Sequence, residues 1–198
     1  MNLNLFSDDL DFRDPQKLFE RATAAENYLK LTCQLLTLTL QENPNKSIDF
    51  AWKTSLDAKK KPSPVFKIKS GKVSSNSHLL LLSIAVATIS ASAGTAFVAE
   101  ANVMEGEIRR TGALKNAIAF FEKAAELFCL SQQIFHKSEV NILCPEMNLN
   151  ASISFALLSV AHQRMAKLRI LFLEKDETKS SELIYLAHSV QEKLGMAR

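Results

Sequence analysis

Hydrophobic residues recur every three or four positions along most of this chain, which is the spacing of one face of an α-helix. The first such pattern opens at Asp14-Pro15, where an acidic N-cap precedes a proline at the first helical position, and it ends before Asn43-Pro44. We therefore predict one long amphipathic helix between these two signals. Its inward face consists of Leu18, Ala22, Ala25, Leu29, Cys33, Leu36 and Leu40.

Three later segments carry the same periodicity and predict helices after Gly106, from Asn150 to Leu173, and from Glu177 to Arg198. The first has an inward face of Leu114, Ala117, Ile118, Phe121, Ala124, Ala125 and Phe128, and the last one of Leu183, Leu186, Ala187, Val190 and Leu194. Successive helices of this length joined by short turns are typical of an antiparallel bundle or an α-solenoid. The predicted fold class is mainly α.

One region departs from helical spacing and alternates with a period of two, which is the pattern of a half-buried strand. Phe50 and Trp52 alternate with polar or small residues, and Phe66 and Ile68 share one face of a second short run. We predict one small β-hairpin here, as a basic insertion at 46–72.

The segment from Leu79 to Ala99 contains 21 residues and no charged side chain. Its length suits a membrane span, but twelve of its residues are Ala, Gly, Ser or Thr, which favour insertion weakly. The alternative is a buried helix that the amphipathic neighbours cover. We predict the buried helix, with Ile84, Ile89 and Phe97 packed under protein.

Charge is distributed unevenly, because Lys53–Lys72 has a net charge of +6 in a chain whose total is +3. This segment is either a solvated hairpin or a patch that contacts acidic lipid headgroups or an acidic partner. The candidate lipid contacts are Lys59, Lys60, Lys61, Lys67 and Lys69. The segment lacks arginine and has little aromatic interleaving, so we do not expect it to bind nucleic acid.

The three cysteines, Cys33, Cys129 and Cys144, form no CxxC pair, and we interpret them as reduced thiols that pack as small hydrophobic residues. Residues 1–13 are acidic and lack an apolar stretch, so they predict a flexible N-terminus rather than a signal peptide. Both features favour a cytoplasmic location.

Catalytic motifs are absent from the sequence. The four histidines stand far apart without the spacing of metal ligands, and there is no GxSxG, P-loop or GxGxxG motif. We expect neither an enzyme nor a bound metal, cofactor or small-molecule substrate.

The helix predicted at 150–173 carries two adjoining apolar stripes on a helical projection. One consists of Ile153, Leu157, Val160, Ala161, Leu168 and Leu171, and the other of Phe155, Leu158, His162, Met165 and Phe172. Either both stripes are buried between helical layers, or the second is partly open and receives a partner helix. His162 on such a face is then either a structural histidine or part of the binding site.

Four motifs in sequence order resemble the BRO-one domain family, whose members include ALIX, the rhophilins and Brox. The run "DFAWKTSLD" resembles the family's aromatic and tryptophan-containing strand, and "SSNSHLLLLSIAVATISASAG" resembles the long apolar helix that follows it. The segments "ALKNAIAFFEKAAELF" and "CPEMNLNASISFALLSVAHQ" resemble two later helical motifs of the family. The family's Ala-Gln-Ala-Gln-Glu stands here as Ser159 to Gln163, and the chain is shorter than a typical member.

As a shortened or divergent member, residues 1–198 are expected to form a single, incomplete BRO-one-like domain with a TPR-like helical scaffold. The resemblance implies a non-enzymatic adaptor of the ESCRT pathway, recruited to endosomes, that binds the C-terminal amphipathic helix of an ESCRT-III subunit in an apolar groove. The expected groove residues are Phe155, Leu158, His162 and Met165. The alternatives are a general helical interaction scaffold without an ESCRT partner, or a protein anchored by one transmembrane helix at 79–99.

Overall fold

The computed structural model describes residues 14–42, 50–53, 65–68, 72–137, 147–174 and 177–197. The described residues form five long helices, and a short 3-10 turn at Glu177–Lys179 precedes the last of them. These helices are α1 (Pro15–Glu42), α2 (Lys72–Val103), α3 (Glu107–Lys137), α4 (Leu149–Glu174) and α5 (Ser180–Met196). The prediction of a mainly helical bundle is confirmed.

Helix α1 begins where the sequence predicted, because the Asp14 carboxylate caps it. Its Oδ1 accepts hydrogen bonds from the backbone N–H groups of Gln16 at 3.0 Å and Lys17 at 3.1 Å, which satisfies two of the free donors of the first turn. The buried face of α1 comprises Leu18, Ala22, Ala25, Leu29, Thr32 and Leu36.

The prediction that the cysteines pack as small hydrophobic residues is wrong for the two that the structure describes. Cys33 and Cys129 are exposed free thiols, and Thr32 takes the inward position beside Cys33 on α1. Cys144 lies outside the described residues, as does the predicted flexible segment 1–13.

Helix α2 is the centre of the molecule. Its residues Leu82, Val86 and Ile89 pack under Ala25 and Leu29 of α1. The residues expected under protein, Ile84, Ile89 and Phe97, are all buried, so that prediction is confirmed. Among the described residues, the stretch Asn76–Val103 is also the one helix with the length and hydropathy of a membrane span, a property that core helices share, and 72% of its most apolar window is buried.

Two buried hydroxyl groups on α2 are satisfied within the helix itself. Ser90 Oγ donates to the carbonyl of Val86 at 2.9 Å, and Ser83 Oγ donates to that of Leu80 at 2.8 Å. Because such bonds leave no unpaired donor, serines can occupy a fully buried helix at little cost.

A tight turn reverses the chain between α2 and α3. Gly106 adopts a φ of 87° at this turn, a left-handed conformation that glycine accepts without strain. On helix α3, six of the seven inward residues that the sequence predicted are buried, while Ile118 is half-buried. Ala113 and Ser131 are buried in addition.

The helices follow one another in space as they do in sequence, since each packs mainly against its neighbours along the chain. Further contacts link α1 to α3. The Lys123 ammonium pairs with the Glu26 carboxylate, and this contact, together with Lys30, lowers the pKa of Glu26 below its usual value. The Phe120 ring meets Phe19 of α1 edge-on at 5.6 Å and stacks on Phe97 of α2 at 5.8 Å.

Two four-residue strands, β1 (Phe50–Lys53) and β2 (Val65–Ile68), lie inside the segment 46–72. They pair antiparallel, with Trp52 opposite Phe66 and Ala51 opposite Lys67. Lys59, Lys60, Lys61 and Lys69 lie outside the described residues, and only the backbone of Lys67 is described.

Helix α5 buries less of its surface than predicted. Leu186 and Ser189 are buried, whereas Ala187 is exposed, so the inward placement of Ala187 is wrong. Among the described helices, α5 packs substantially against α4 alone, which explains why Leu183, Val190 and Leu194 are only half-buried.

Candidate protein-binding surface

The face of α4 that packs against α3 is lined mainly by small residues. Its buried members are Ser152, Ala156, Ser159, Ala166 and Ile170. Ser159 Oγ donates to the carbonyl of Phe155 at 2.8 Å, so its hydroxyl is satisfied within α4. Small side chains let α4 approach α3 closely and turn the larger apolar residues away from the interface.

Neither predicted stripe is therefore the principal buried face of α4. In the stripe around Leu157, Ala161 is buried, but Leu157, Val160 and Leu168 are half-buried and Ile153 is exposed. The two predicted stripes consist mainly of large hydrophobic residues, whereas the principal buried face is formed mainly by serine and alanine.

The second stripe remains at the surface, and we call it the outer stripe: Phe155, Leu158, His162, Met165 and Phe172. Phe155 is 48% exposed, Met165 43% and Phe172 62%, while Leu158 is half-buried. All four predicted groove residues thus lie on one open face of α4.

Two rings of the outer stripe are fixed by aromatic residues of α3. Phe155 stacks on Phe128 with ring centroids 5.6 Å apart, and His162 meets Phe121 edge-on at 5.2 Å. Partial burial of His162 lowers the pKa of its imidazole below the usual value, which favours the neutral ring at physiological pH. The outer stripe therefore presents an apolar surface with two pre-positioned rings.

A cavity of about 270 Å³ lies where α2, α3 and α4 meet, near Phe172 at the C-terminal end of the outer stripe. It is lined by Ala101, Asn102, Arg110, Leu114, Arg169, Phe172 and Leu173. This cavity was not predicted from the sequence, because Arg110 and Arg169 are far apart in the chain. One signal was present: Arg169 follows Met165 by four residues and precedes Phe172 by three, so it belongs to the same helical face.

Within the described ranges, no three residues among His, Cys, Asp and Glu are grouped so that they could hold a metal ion. Comparison with protein-family models, curated proteins and solved structures finds no match for this chain.

Proposed function

We propose that this chain is a non-enzymatic helical adaptor that binds an amphipathic helix of a partner protein on the outer stripe of α4. The observation that carries the proposal is the exposure of Phe155, Met165 and Phe172 on a helix that already packs against neighbours on two sides. An apolar stripe at i, i+3 and i+7 spacing is the surface that receives a partner helix. Met165 adds an adaptable side chain of the kind common at such interfaces.

A second exposed stripe, Leu31, Leu35 and Leu38, lies on α1. Helix α1 is the first of the described helices in the array, so no earlier helix among the described residues covers its outer face. The α4 stripe is open in spite of neighbours on both sides, and α3 rings fix two of its members. These features favour the α4 stripe as the binding surface.

The resemblance to the BRO-one family supports an ESCRT-III tail helix as the partner. In this proposal the helices form a TPR-like scaffold, and the protein is cytoplasmic and recruited to endosomes. A general helical scaffold that binds a different amphipathic helix is the alternative.

The same proposal assigns the lysine-rich segment, with Lys59, Lys60 and Lys61 at its centre, to contact with acidic headgroups. Each lysine near an acidic membrane surface contributes about 1 kcal/mol of attraction. Replacing these three lysines by glutamine is expected to abolish co-sedimentation with vesicles containing phosphatidylserine. Unchanged co-sedimentation would remove the membrane contact from the proposal.

The outer stripe is tested with a labelled ESCRT-III tail peptide and fluorescence anisotropy. Met165→Asp places a charge in the apolar interface, and we expect at least about a tenfold weaker Kd. Leu158→Asp tests the half-buried centre of the stripe in the same way. Leu35→Asp on the α1 stripe is the matched control, and its Kd is expected to stay within about twofold of the unmodified chain.

The binding results distinguish the outer stripe from other surfaces, and an ESCRT-III partner from a different amphipathic helix. Unchanged affinity in folded Met165→Asp and Leu158→Asp variants would show that the outer stripe is not the binding surface. No binding of the ESCRT-III peptide by the unmodified chain would leave the general scaffold as the better account.

A further inference from the structure

A positive charge lies within the row of apolar residues that forms the outer stripe. Successive surface positions of α4 fall at 155, 158, 162, 165, 169 and 172, alternating steps of three and four residues. This is the spacing of a coiled-coil seam, in which each side chain packs into a space on the facing helix. Arg169 occupies the fifth position, between Met165 and Phe172.

Arg169 shares the cavity at this end of the stripe with Arg110 of α3. Both guanidinium groups are held by neutral oxygens: Arg110 Nε donates to the carbonyl of Met104 at 2.7 Å, and Arg169 donates to Asn102 Oδ1. In the part of the chain that the structure describes, neither arginine forms an ion pair with a carboxylate. Two like charges therefore line one small cavity without a counter-charge from the described residues.

An anion in this cavity would be favoured for two reasons. A guanidinium has five N–H donors in a planar fork, and the hydrogen bond that each arginine makes within the chain leaves further donors for a ligand. The rest of the lining is mostly apolar, with Leu114, Phe172 and Leu173, so it suits the methylene stem of a carboxylate side chain.

We propose that the two-arginine cavity binds a carboxylate side chain, preferably glutamate, at one end of the partner helix that occupies the outer stripe. This inference rests on the proposed function and specifies its partner. Arg169 follows Phe155 by 14 residues, about 21 Å of helix, so the partner needs roughly four helical turns between its first apolar anchor and its acid.

A second copy of this chain does not meet the requirement. The stripe of α4 contains His162 and Arg169 but no acidic residue, and the one acid of α4, Glu174, lies off the stripe. A parallel pair of stripes would bring Arg169 against Arg169, and an antiparallel pair would set it against apolar residues. Charge complementarity therefore selects a different, acidic partner.

The test uses synthetic, monomeric 21-residue helical peptides, with leucines at heptad spacing and one glutamate near either the N- or the C-terminal end. Each has a twin with glutamine in place of the glutamate. For one of the two orientations, we expect the glutamate peptide to bind the unmodified chain about five- to twentyfold more tightly than its twin, as a charge-assisted pair would give. The preference should disappear in Arg169→Gln and in Arg110→Gln.

Arg164→Gln is the matched control, because it removes the same charge from α4 outside the cavity. It should retain the preference for glutamate over glutamine. Circular dichroism of each variant verifies that the helices are intact, and the second cavity variant keeps the test decisive if one arginine is needed for folding.

The outcomes distinguish this inference from the proposed function. Equal binding of the glutamate and glutamine peptides in both orientations, with affinity still lost in Met165→Asp, overturns the carboxylate site alone. No binding of any peptide overturns the proposed function as well. A third peptide of the same sequence carries phosphoserine in place of the glutamate. If it binds more tightly than the glutamine twin and the glutamate peptide does not, the cavity takes a phosphate and the carboxylate assignment is wrong.

Discussion

His78, near the N-terminal end of α2, is a buried ionisable residue. Only 3% of it is exposed, and burial lowers the pKa of its imidazole from 6.5 to about 4. Because the pKa is depressed in the folded state, the unfolded chain binds the proton more readily. The contribution of neutral His78 is complete above pH 6.5 and is lost as the pH falls toward 4.

We predict that the free energy of unfolding decreases by about 2 kcal/mol between pH 7.5 and pH 5 through this residue. Urea unfolding at both pH values measures the change, and His78→Gln should lose that share of the pH dependence. His162 contributes in the same direction, since its pKa is also lowered, so the comparison is between the unmodified chain and the variant. His188→Gln, at an exposed site of α5, should behave as the unmodified chain. A pH dependence in His78→Gln as large as that of the unmodified chain would contradict the prediction.

At the residue scale, contacts between neighbours in the sequence could be predicted, whereas contacts between residues far apart in the chain could not. The Asp14 cap depends on three consecutive residues, so the sequence alone was sufficient to place it. The cavity joins Arg110 and Arg169 only after α3 and α4 have packed. Helical spacing could place Arg169 on the outer stripe, but it could not bring a residue of α3 beside it.

At the scale of elements, the closest approach between α2 and α3 depends on Gly94. A Cβ atom at this position would lie 2.8 Å from Cε1 of Phe121, whose ring is fully buried and has little room to move. We predict that Gly94→Ala lowers the free energy of unfolding by about 1–3 kcal/mol, because overpacking outweighs the gain in helix propensity. Thermal and denaturant unfolding measure the effect.

Gly112 of α3 supplies the matched control, since a Cβ there meets no atom within 4 Å. Gly112→Ala should be neutral or should stabilise the protein by up to about 1 kcal/mol through helix propensity alone. The double variant Gly94→Ala with Phe121→Leu should have a higher free energy of unfolding than Gly94→Ala alone, because the smaller leucine side chain relieves part of the clash. Equal effects of the two alanine substitutions would show that the helices do not approach closely at Gly94.

The helices were predicted from hydrophobic periodicity. The failure to predict the buried face of α4 has a physical cause. Apolar residues at three- and four-residue spacing predicted the buried face of α3 almost completely. In α4 the same rule failed, because Ser152, Ala156, Ser159 and Ala166 form the contact with α3 and leave the larger side chains outside. A close interface selects small residues, and a count of large hydrophobic residues cannot detect it.

At the scale of the whole molecule, the sequence predicted the order of the helices but not which helices pack over each apolar face. Composition alone could not decide between a membrane span and a core helix for α2. The contacts of α2 with α1 and α3 account for the burial of its apolar surface, and the Glu26–Lys123 pair and the Phe120 ring add links between α1 and α3. The position of α1 over α2 is therefore the arrangement on which the core depends.

A pair of adjacent substitutions in α1 tests this arrangement. Ala25 is buried against Leu82, Val86 and Ile89 of α2, whereas Ala24 is exposed on the same turn. Ala25→Glu forces an unpaired charge into the α1–α2 contact, and we predict a loss of about 3–5 kcal/mol in the free energy of unfolding. Ala24→Glu adds the same charge to the same helix in water and should change stability by less than about 0.5 kcal/mol. If α1 did not cover α2, as in a protein whose α2 is surrounded by lipid, the two variants would have the same free energy of unfolding. Urea unfolding of the purified chain in aqueous buffer distinguishes these outcomes, because only a packed α1–α2 interface makes one position sensitive and its neighbour tolerant.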